Sequence, residues 1–240
     1  MRAARNGFVY SFDRLNGQFL KATQYVSQVT WTKGIDPKTG KPLDYDPTKD
    51  LQTYAQPVAQ MLTGAKASFC PGVPGGNNFW PASYSRARNM IYIPTLEGCT
   101  WAQRDQTRHV KGKFDGGSFG YDSRLTSTVM AYDPATGEIK GKKDMPYPNT
   151  AGMVATAGGV IFTALLDGTV LALDDETLNE LWSINLGTGV NAAPVTYEVD
   201  GKQYLAIATG LTGNQIGRIT TAPEMKGMAK NTTMLFVFGL

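Results

Sequence analysis

Short apolar runs separated by turn residues recur along the 240-residue chain: Phe8–Phe12, Met90–Pro94, Thr128–Tyr132, Val160–Ala164, Thr169–Leu173, Pro194–Glu198, Tyr204–Thr209 and Met234–Phe238. Most are rich in Val, Ile, Phe and Tyr, and all have the length of a strand. Twenty-seven glycines and 13 prolines fall between the runs instead of gathering in one linker, which is how turns punctuate many short strands. No apolar stripe of helical period spans four turns. The longest helix candidate, Thr53–Leu62, is interrupted by Pro57. The pattern predicts a chain that is nearly all β.

One segment repeats. Val9-Tyr10-Ser11-Phe12-Asp13-Arg14-Leu15-Asn16-Gly17 returns as Val129-Met130-Ala131-Tyr132-Asp133-Pro134-Ala135-Thr136-Gly137 and as Val170-Leu171-Ala172-Leu173-Asp174-Asp175-Glu176-Thr177-Leu178. A strand ending in Asp-x-x-Thr/Asn-Gly signals a hairpin: the carboxylate accepts backbone N–H bonds across the turn and the glycine takes a positive φ. Trp182 lies eight residues after Asp174, placed to fold back across its hairpin and pack between neighbouring sheets. Asp133 and Asp174 are 41 positions apart, the period of a propeller blade. A solenoid of hairpins is the competing architecture, disfavoured by long and unequal loops between the repeats.

Charge and composition narrow the chemistry. A net charge of +3 with scattered basic residues gives no stripe for a nucleic-acid backbone. No run reaches the roughly 18 apolar residues of a membrane span, and Met1–Gly7 leads into Phe8 without an apolar signal core. One histidine, His109, and two cysteines cannot assemble a zinc site of the usual kind. Glu97, Asp105, Asp115 and Asp122 surround His109 but alternate with Arg104, Arg108, Lys111 and Lys113, so they read as a solvated loop. Gly116–Gly120 only loosely imitates a phosphate loop, and Asp13, Asp133 and Asp174 read as hairpin residues and not as general bases.

Ala131–Gly137 and Ala172–Trp182 fit the Ala-x-Asp-x-x-Thr-Gly-x-x-x-Trp repeat of pyrroloquinoline quinone (PQQ) enzymes, in part and nearly in full respectively. Arg5-Asn6-Gly7 leading to Asp13-Arg14-Leu15-Asn16-Gly17 resembles a segment of the quinoprotein methanol and ethanol dehydrogenases. Gly76-Asn77-Asn78-Phe79-Trp80-Pro81-Ala82-Ser83-Tyr84-Ser85 and Asp167–Asp174 are similar to later segments of the same family, in the same order. The resemblance implies a partial eight-bladed β-propeller of four-stranded blades, with residues 1–240 as the C-terminal part of one incomplete ring. It also implies a truncated reading frame, with the catalytic Asp and the side-chain ligands of a calcium or lanthanide ion upstream.

The same resemblance suggests the site residues. Arg5 matches a cation that hydrogen-bonds the quinone oxygens, suited to the negative charge that develops on reduction. Asn78 matches an amide that contacts PQQ, with Gly75 and Gly76 allowing close backbone approach. Phe79 is either a cofactor-side wall or a core aromatic, and Trp80 reads as core. Thr150 and Asn214 stand where methanol dehydrogenases carry tryptophans near the cofactor, which would enlarge or polarise the pocket; the other reading is that both are turn residues at blade tips. Cys70 and Cys99 match a cysteine pair that would be a disulfide in an exported protein.

The intact family member is expected to be periplasmic and to oxidise a primary alcohol with PQQ, passing electrons to cytochrome c or quinone; a homodimer is a further possibility. A non-catalytic scaffold resembling the outer-membrane barrel-assembly lipoprotein, and a sugar or polyvinyl alcohol dehydrogenase, are the alternatives. No Cys-x-x-Cys-His haem motif occurs in the chain. Met234–Phe238 is expected to be an exposed closing strand that lowers solubility.

Overall fold

The computed structural model describes residues 1–50, 52, 55–105, 111–112, 116–122, 124–211, 221–228 and 232–239. In chain order the strands are β1 (Arg2–Ala3), β2 (Phe8–Phe12), β3 (Phe19–Gln24), β4 (Ala67–Phe69), β5 (Ser83–Ser85), β6 (Met90–Glu97), β7 (Thr100–Arg104), β8 (Gly117–Tyr121) and β9 (Thr126–Tyr132). They continue as β10 (Ile139–Met145), β11 (Met153–Ala155), β12 (Val160–Ala164), β13 (Thr169–Asp174), β14 (Glu180–Asn185), β15 (Val195–Val199), β16 (Lys202–Ala208) and β17 (Leu235–Gly239). A helix, α1, spans Gln56–Leu62, and a short 3-10 turn spans Pro223–Gly227. Pro57 occupies the first turn of α1, so it starts the helix where an interruption was expected. The first turn has no intrahelical use for a proline's missing N–H.

Two compact units emerge: Met1–Gly76 with Glu97–Arg124, and Asn77–Leu96 with Leu125–Leu240. The first holds two three-stranded sheets, ordered β1-β2-β3 and β4-β7-β8. The second holds two four-stranded sheets, β10-β9-β6-β5 and β11-β12-β13-β14, and a three-stranded one, β15-β16-β17. Among the described residues, four strands per blade is thus met in two sheets and not in the other three. The sheet β4-β7-β8 arises because the chain leaves β6, makes the β7-β8 pair in the first unit and returns to β9. Gly116–Gly120, the loose phosphate-loop candidate, is largely strand β8.

The Asp turns join β2 to β3, β9 to β10 and β13 to β14. Asp13 Oδ1 accepts the Leu15 N–H at 2.7 Å, and Asp133 Oδ1 accepts those of Ala135 and Thr136 at 2.8 and 3.2 Å. Asp174 Oδ1 accepts those of Glu176 and Thr177 at 3.0 and 2.7 Å. These amides hold the carboxylates of Asp133 and Asp174 below the usual range; the Ala135 N–H contributes most at Asp133 and the Thr177 N–H most at Asp174. Gly17 and Gly137 close their turns at φ +74° and +81°. In the third repeat Leu178 takes the same place at φ +60°, a region costly for a branched side chain. Its compensation is burial: Leu178 is 3% exposed in a core with Val129, Ala131, Ile161 and Leu173.

A fourth turn of this type lies outside the three repeats. In Asp36-Pro37-Lys38-Thr39-Gly40, Asp36 Oδ1 accepts the N–H groups of Lys38 and Thr39 and Gly40 has φ +71°, yet the turn closes only the isolated bridge between Ile35 and Pro42.

In the second unit β12 and β13 are buried on both faces. Ile161, Leu171 and Leu173 join the core shared with Tyr92, Val129 and Met145, while Phe162, Ala164, Val170 and Ala172 join one with Val190, Leu205 and Ile207. Burial on both faces is why these strands read as unbroken apolar runs. As expected, Trp182 reaches the next sheet: its ring meets Phe238 of β17 edge-on at 5.6 Å, and it remains 40% exposed. Among the described residues β17 ends its sheet, with Leu235 and Val237 69% and 49% exposed.

Candidate functional site

Arg5 sits on the tight turn between β1 and β2. Its neighbours are fixed from several sides: the Gly7 N–H donates to the Ala4 carbonyl at 3.1 Å, Tyr25 Oη to the same carbonyl at 2.7 Å, and Trp31 Nε1 to the Asn6 carbonyl at 2.7 Å. Asn6 Nδ2 donates to Tyr10 Oη at 2.9 Å; burial raises the Tyr10 pKa, with that hydrogen bond opposing. The Arg5 side chain is exposed, and its guanidinium donates to the Val73 carbonyl. A cation on a rigid turn with part of its donor set facing solvent can receive a carboxylate or a quinone oxygen.

Gly75 and Gly76 explain how the turn is held. The Gly76 N–H donates to the Arg5 carbonyl at 3.1 Å, and Gly75 has φ +78°. A Cβ on Gly75 would stand 2.5 Å from Arg5 Cβ, and one on Gly76 would stand 2.4 Å from Val26 Cγ1. These glycines therefore admit protein and not ligand: the close approach expected toward Asn78 is taken up by Arg5, Tyr25 and Val26. Val73 also borders a groove of about 400 Å³ lined by Met61, Leu62, Ala102 and Phe119.

The adjacent asparagines divide their roles in the second unit. Asn77 is 3% exposed and its Nδ2 donates to the carbonyls of Pro94 at 2.9 Å and Trp80 at 3.3 Å, so it is a structural clamp. Asn78 is half-buried. Phe79 is 64% exposed and tilted on Trp80 at 5.7 Å; it is no core aromatic, whereas Trp80, 2% exposed, is. Asn149, beside Thr150, donates from Nδ2 to Thr163 Oγ1 at 2.6 Å. Thr150 is fully buried, and its hydroxyl finds no hydrogen-bond partner among the described residues. Asn214, His109 and Asp115 lie outside the described residues.

Cys70 and Cys99 form a disulfide in the first unit, with Cα atoms 4.5 Å apart. Glu97, read as part of a solvated loop, ends β6 and accepts hydrogen bonds from the Ser27 N–H at 3.0 Å and hydroxyl at 2.5 Å. Among the described residues no cluster of three or more His, Cys, Asp or Glu could hold a metal ion. No helix among them is long and apolar enough to cross a membrane.

Several supports of Arg5 were not visible in the sequence. Tyr25 and Trp31 lie 20 and 26 positions downstream of it, and nothing in their local pattern links them to the turn. The signal that could have found Gly75 is the Gly75-Gly76 pair, which marks close backbone contact without naming the partner.

Residues 121–205 match the family model of the glucose/ethanol/alcohol dehydrogenase β-propeller domain of PQQ enzymes. The quinoprotein alcohol dehydrogenase PedE of Pseudomonas putida is 34% identical over 88% of this chain and 33% of its own length. Lupanine 17-hydroxylase [cytochrome c] of Pseudomonas sp is 36% identical over 89% of this chain and 30% of its own. The chain thus spans about a third of the length of the curated relatives it matches. The solved structure of a europium-containing methanol dehydrogenase superposes with a TM-score of 0.80 at 25% identity, covering 98% of this chain and 44% of that one. The fold is that of a PQQ alcohol dehydrogenase propeller, in part.

Proposed function

For a chain that is a relative of the quinoprotein alcohol dehydrogenases over nearly nine tenths of its length, we propose that it is the C-terminal part of a periplasmic enzyme oxidising a primary alcohol to the aldehyde with PQQ. All 240 residues then belong to one propeller domain that further polypeptide completes. Electrons leave to cytochrome c, for which lupanine 17-hydroxylase [cytochrome c] is named, or to a quinone. A calcium or lanthanide ion accompanies the cofactor, on ligands supplied outside these residues.

The observation that carries the reading is Arg5: an exposed guanidinium on a turn locked by Tyr25, Trp31 and Gly76, fitted to a polyanionic ligand. The fully buried, unpartnered hydroxyl of Thr150 fits a site that receives a polar ligand atom. When bound, PQQ supplies an ortho-quinone that accepts two electrons. Arg5 would bind a quinone oxygen and stabilise negative charge there, because a fixed cation needs no reorganisation as charge develops. Asn78 would orient the ligand by donating its amide N–H and accepting at its carbonyl. Phe79 would wall the site with its exposed ring, and Asn214 would give a polar contact.

The test is a titration of the chain, expressed with its surrounding coding sequence, with PQQ and calcium or a lanthanide, followed by cofactor absorbance and dye-linked alcohol oxidation. Stoichiometric binding that weakens at least tenfold in Arg5→Ala and in Asn78→Ala, with unfolding temperature unchanged, supports the assignment. Unaltered PQQ affinity in both variants would overturn it, and a folded full-length protein that binds no PQQ would favour a non-catalytic scaffold.

A further inference from the structure

The guanidinium of Arg5 is held by the Val73 carbonyl, and Val73 is held in turn by Thr100. Every N–H from Gly72 to Gly76 has a partner in the first unit. Gly72 donates to the Gly98 carbonyl at 3.0 Å, Val73 to Thr100 Oγ1 at 2.9 Å, Gly75 to the Gly72 carbonyl at 2.8 Å and Gly76 to the Arg5 carbonyl at 3.1 Å; Pro74 has none to give. Gly98, Gly72 and Arg5 lend backbone carbonyls, so Thr100 supplies the acceptor that a substitution can remove. Thr100 is itself immobile. It is fully buried in β7, in register with Phe69 of β4 and Tyr121 of β8, and its neighbour Cys99 is bonded to Cys70 at the start of the loop. The approach is close: a Cβ on Gly72 would stand 2.3 Å from Thr100 Oγ1. Val73 is β-branched and precedes Pro74, which leaves its backbone few conformations. Fixing its N–H therefore fixes the direction of its carbonyl, and with it the arm of Arg5 that donates there.

We propose that Thr100 is a positioning residue for the cofactor site: its hydroxyl orients Val73 so that Arg5 turns its remaining N–H groups toward the quinone oxygens. The proposal rests on reading Arg5 as the cofactor's cation, and names the residue that aims it. A guanidinium carries its donors in a rigid planar fork, so anchoring one arm on Val73 sets the direction of the others. Threonine suits the task. Its branched side chain has few rotamers, and the burial of Thr100 keeps water from replacing its hydroxyl as the acceptor. Without that oxygen the Val73 N–H loses its partner, the Gly72–Gly75 turn relaxes, and Arg5 keeps its charge while losing its direction. A cation that must reorganise as negative charge develops stabilises that charge less than one already in place.

The experiment uses the chain expressed with its surrounding coding sequence and compares Thr100→Val, Thr100→Ala and Thr100→Ser. Hydrogen exchange of residues 70–76, and the rate at which phenylglyoxal modifies Arg5, are read by peptide mass spectrometry without cofactor. Thr100→Val is expected to raise both, to weaken PQQ binding about tenfold and to lower the reduction potential of the bound cofactor. Thr100→Ala reports the same loss if the Val variant does not fold. Thr100→Ser keeps the oxygen and is expected to restore the parent values. In an Arg5→Ala background Thr100→Val is expected to change PQQ affinity no further, because residues that act through one contact are not additive. An unchanged Arg5 modification rate in the folded Val or Ala variant overturns the proposal, since Thr100 then serves stability alone. So does a loss of PQQ affinity that persists in the Arg5→Ala background. Faster Arg5 modification in Thr100→Val, with PQQ affinity that Arg5→Ala leaves unaltered, would instead count against the functional reading, and the aiming of Arg5 by Thr100 would stand.

Discussion

Gly75 lies so close to Arg5 that a Cβ there would stand 2.5 Å from Arg5 Cβ and 2.7 Å from its Cα. The residue proposed to meet the cofactor is therefore positioned by a glycine 70 positions away. Gly75→Ala would clash with Arg5 and strain a backbone at φ +78°. It is expected to destabilise the protein by about 1–3 kcal/mol and to weaken PQQ binding, both read from thermal unfolding and cofactor titration. An alanine tolerated without either effect would show that the turn is not clamped there.

Asn77 is a structural clamp, and its neighbour Asn78 is the residue proposed to bind. Asn77→Ala leaves the buried Pro94 carbonyl without its side-chain donor and is expected to lower stability by about 1–3 kcal/mol. Denaturant unfolding of this variant beside Asn78→Ala checks the division, because only the second is expected to act through cofactor affinity.

The hairpin carboxylates predict an acid limb. Asp133 and Asp174 have depressed pKa values because backbone amides stabilise their charged forms. Their contribution is full above the unfolded carboxylate value of about 3.9 and is lost as pH falls through the lower folded values. Nuclear magnetic resonance titration is expected to place both midpoints below that of an unfolded aspartate, and Asp133→Asn to flatten part of the acid limb.

The Cys70–Cys99 bridge spans a sequence separation of 29. Removing it as Cys70→Ser with Cys99→Ser is expected to reduce stability by about 3 kcal/mol through the entropy of the unfolded loop. The check is unfolding of the oxidised protein against the double variant. Equal unfolding free energies would mean that the bridge constrains little.

Leu178 sets burial against backbone strain. Leu178→Gly would relieve a positive φ of 60° but empty a site that is 3% exposed. Loss of a buried Leu costs about 2–5 kcal/mol against about 1–3 kcal/mol of strain, so net destabilisation is expected in a denaturant titration. A gain in stability would reverse the order of the two effects.

These contrasts also show what the chain discloses by itself. Strands β12 and β13, buried on both sides, stand out as apolar runs. Strand β10, Ile139-Lys140-Gly141-Lys142-Lys143-Asp144-Met145, does not, because an edge strand with a solvated face is held by its ladder to β9 and needs few apolar residues. Strand β14 is likewise exposed throughout and invisible to hydrophobic pattern. Arg5 and Asn78 could be named only through resemblance, since the contacts from Tyr25, Trp31 and Gly76 that fix the Arg5 turn join residues remote in sequence. The disulfide too was named through the resemblance, whereas the Trp182 contact was legible from its spacing to the Asp174 hairpin.

The Asp36–Gly40 turn has a practical bearing on the recognition of such domains. It has the same side-chain acceptor and the same left-handed glycine as the blade hairpins, with no blade sheet attached. An Asp-x-x-Thr-Gly spelling is thus a portable corner that the chain inserts wherever it must reverse. Scanning for it would overcount blades here, and repeat number is better inferred from the buried strand that precedes each corner.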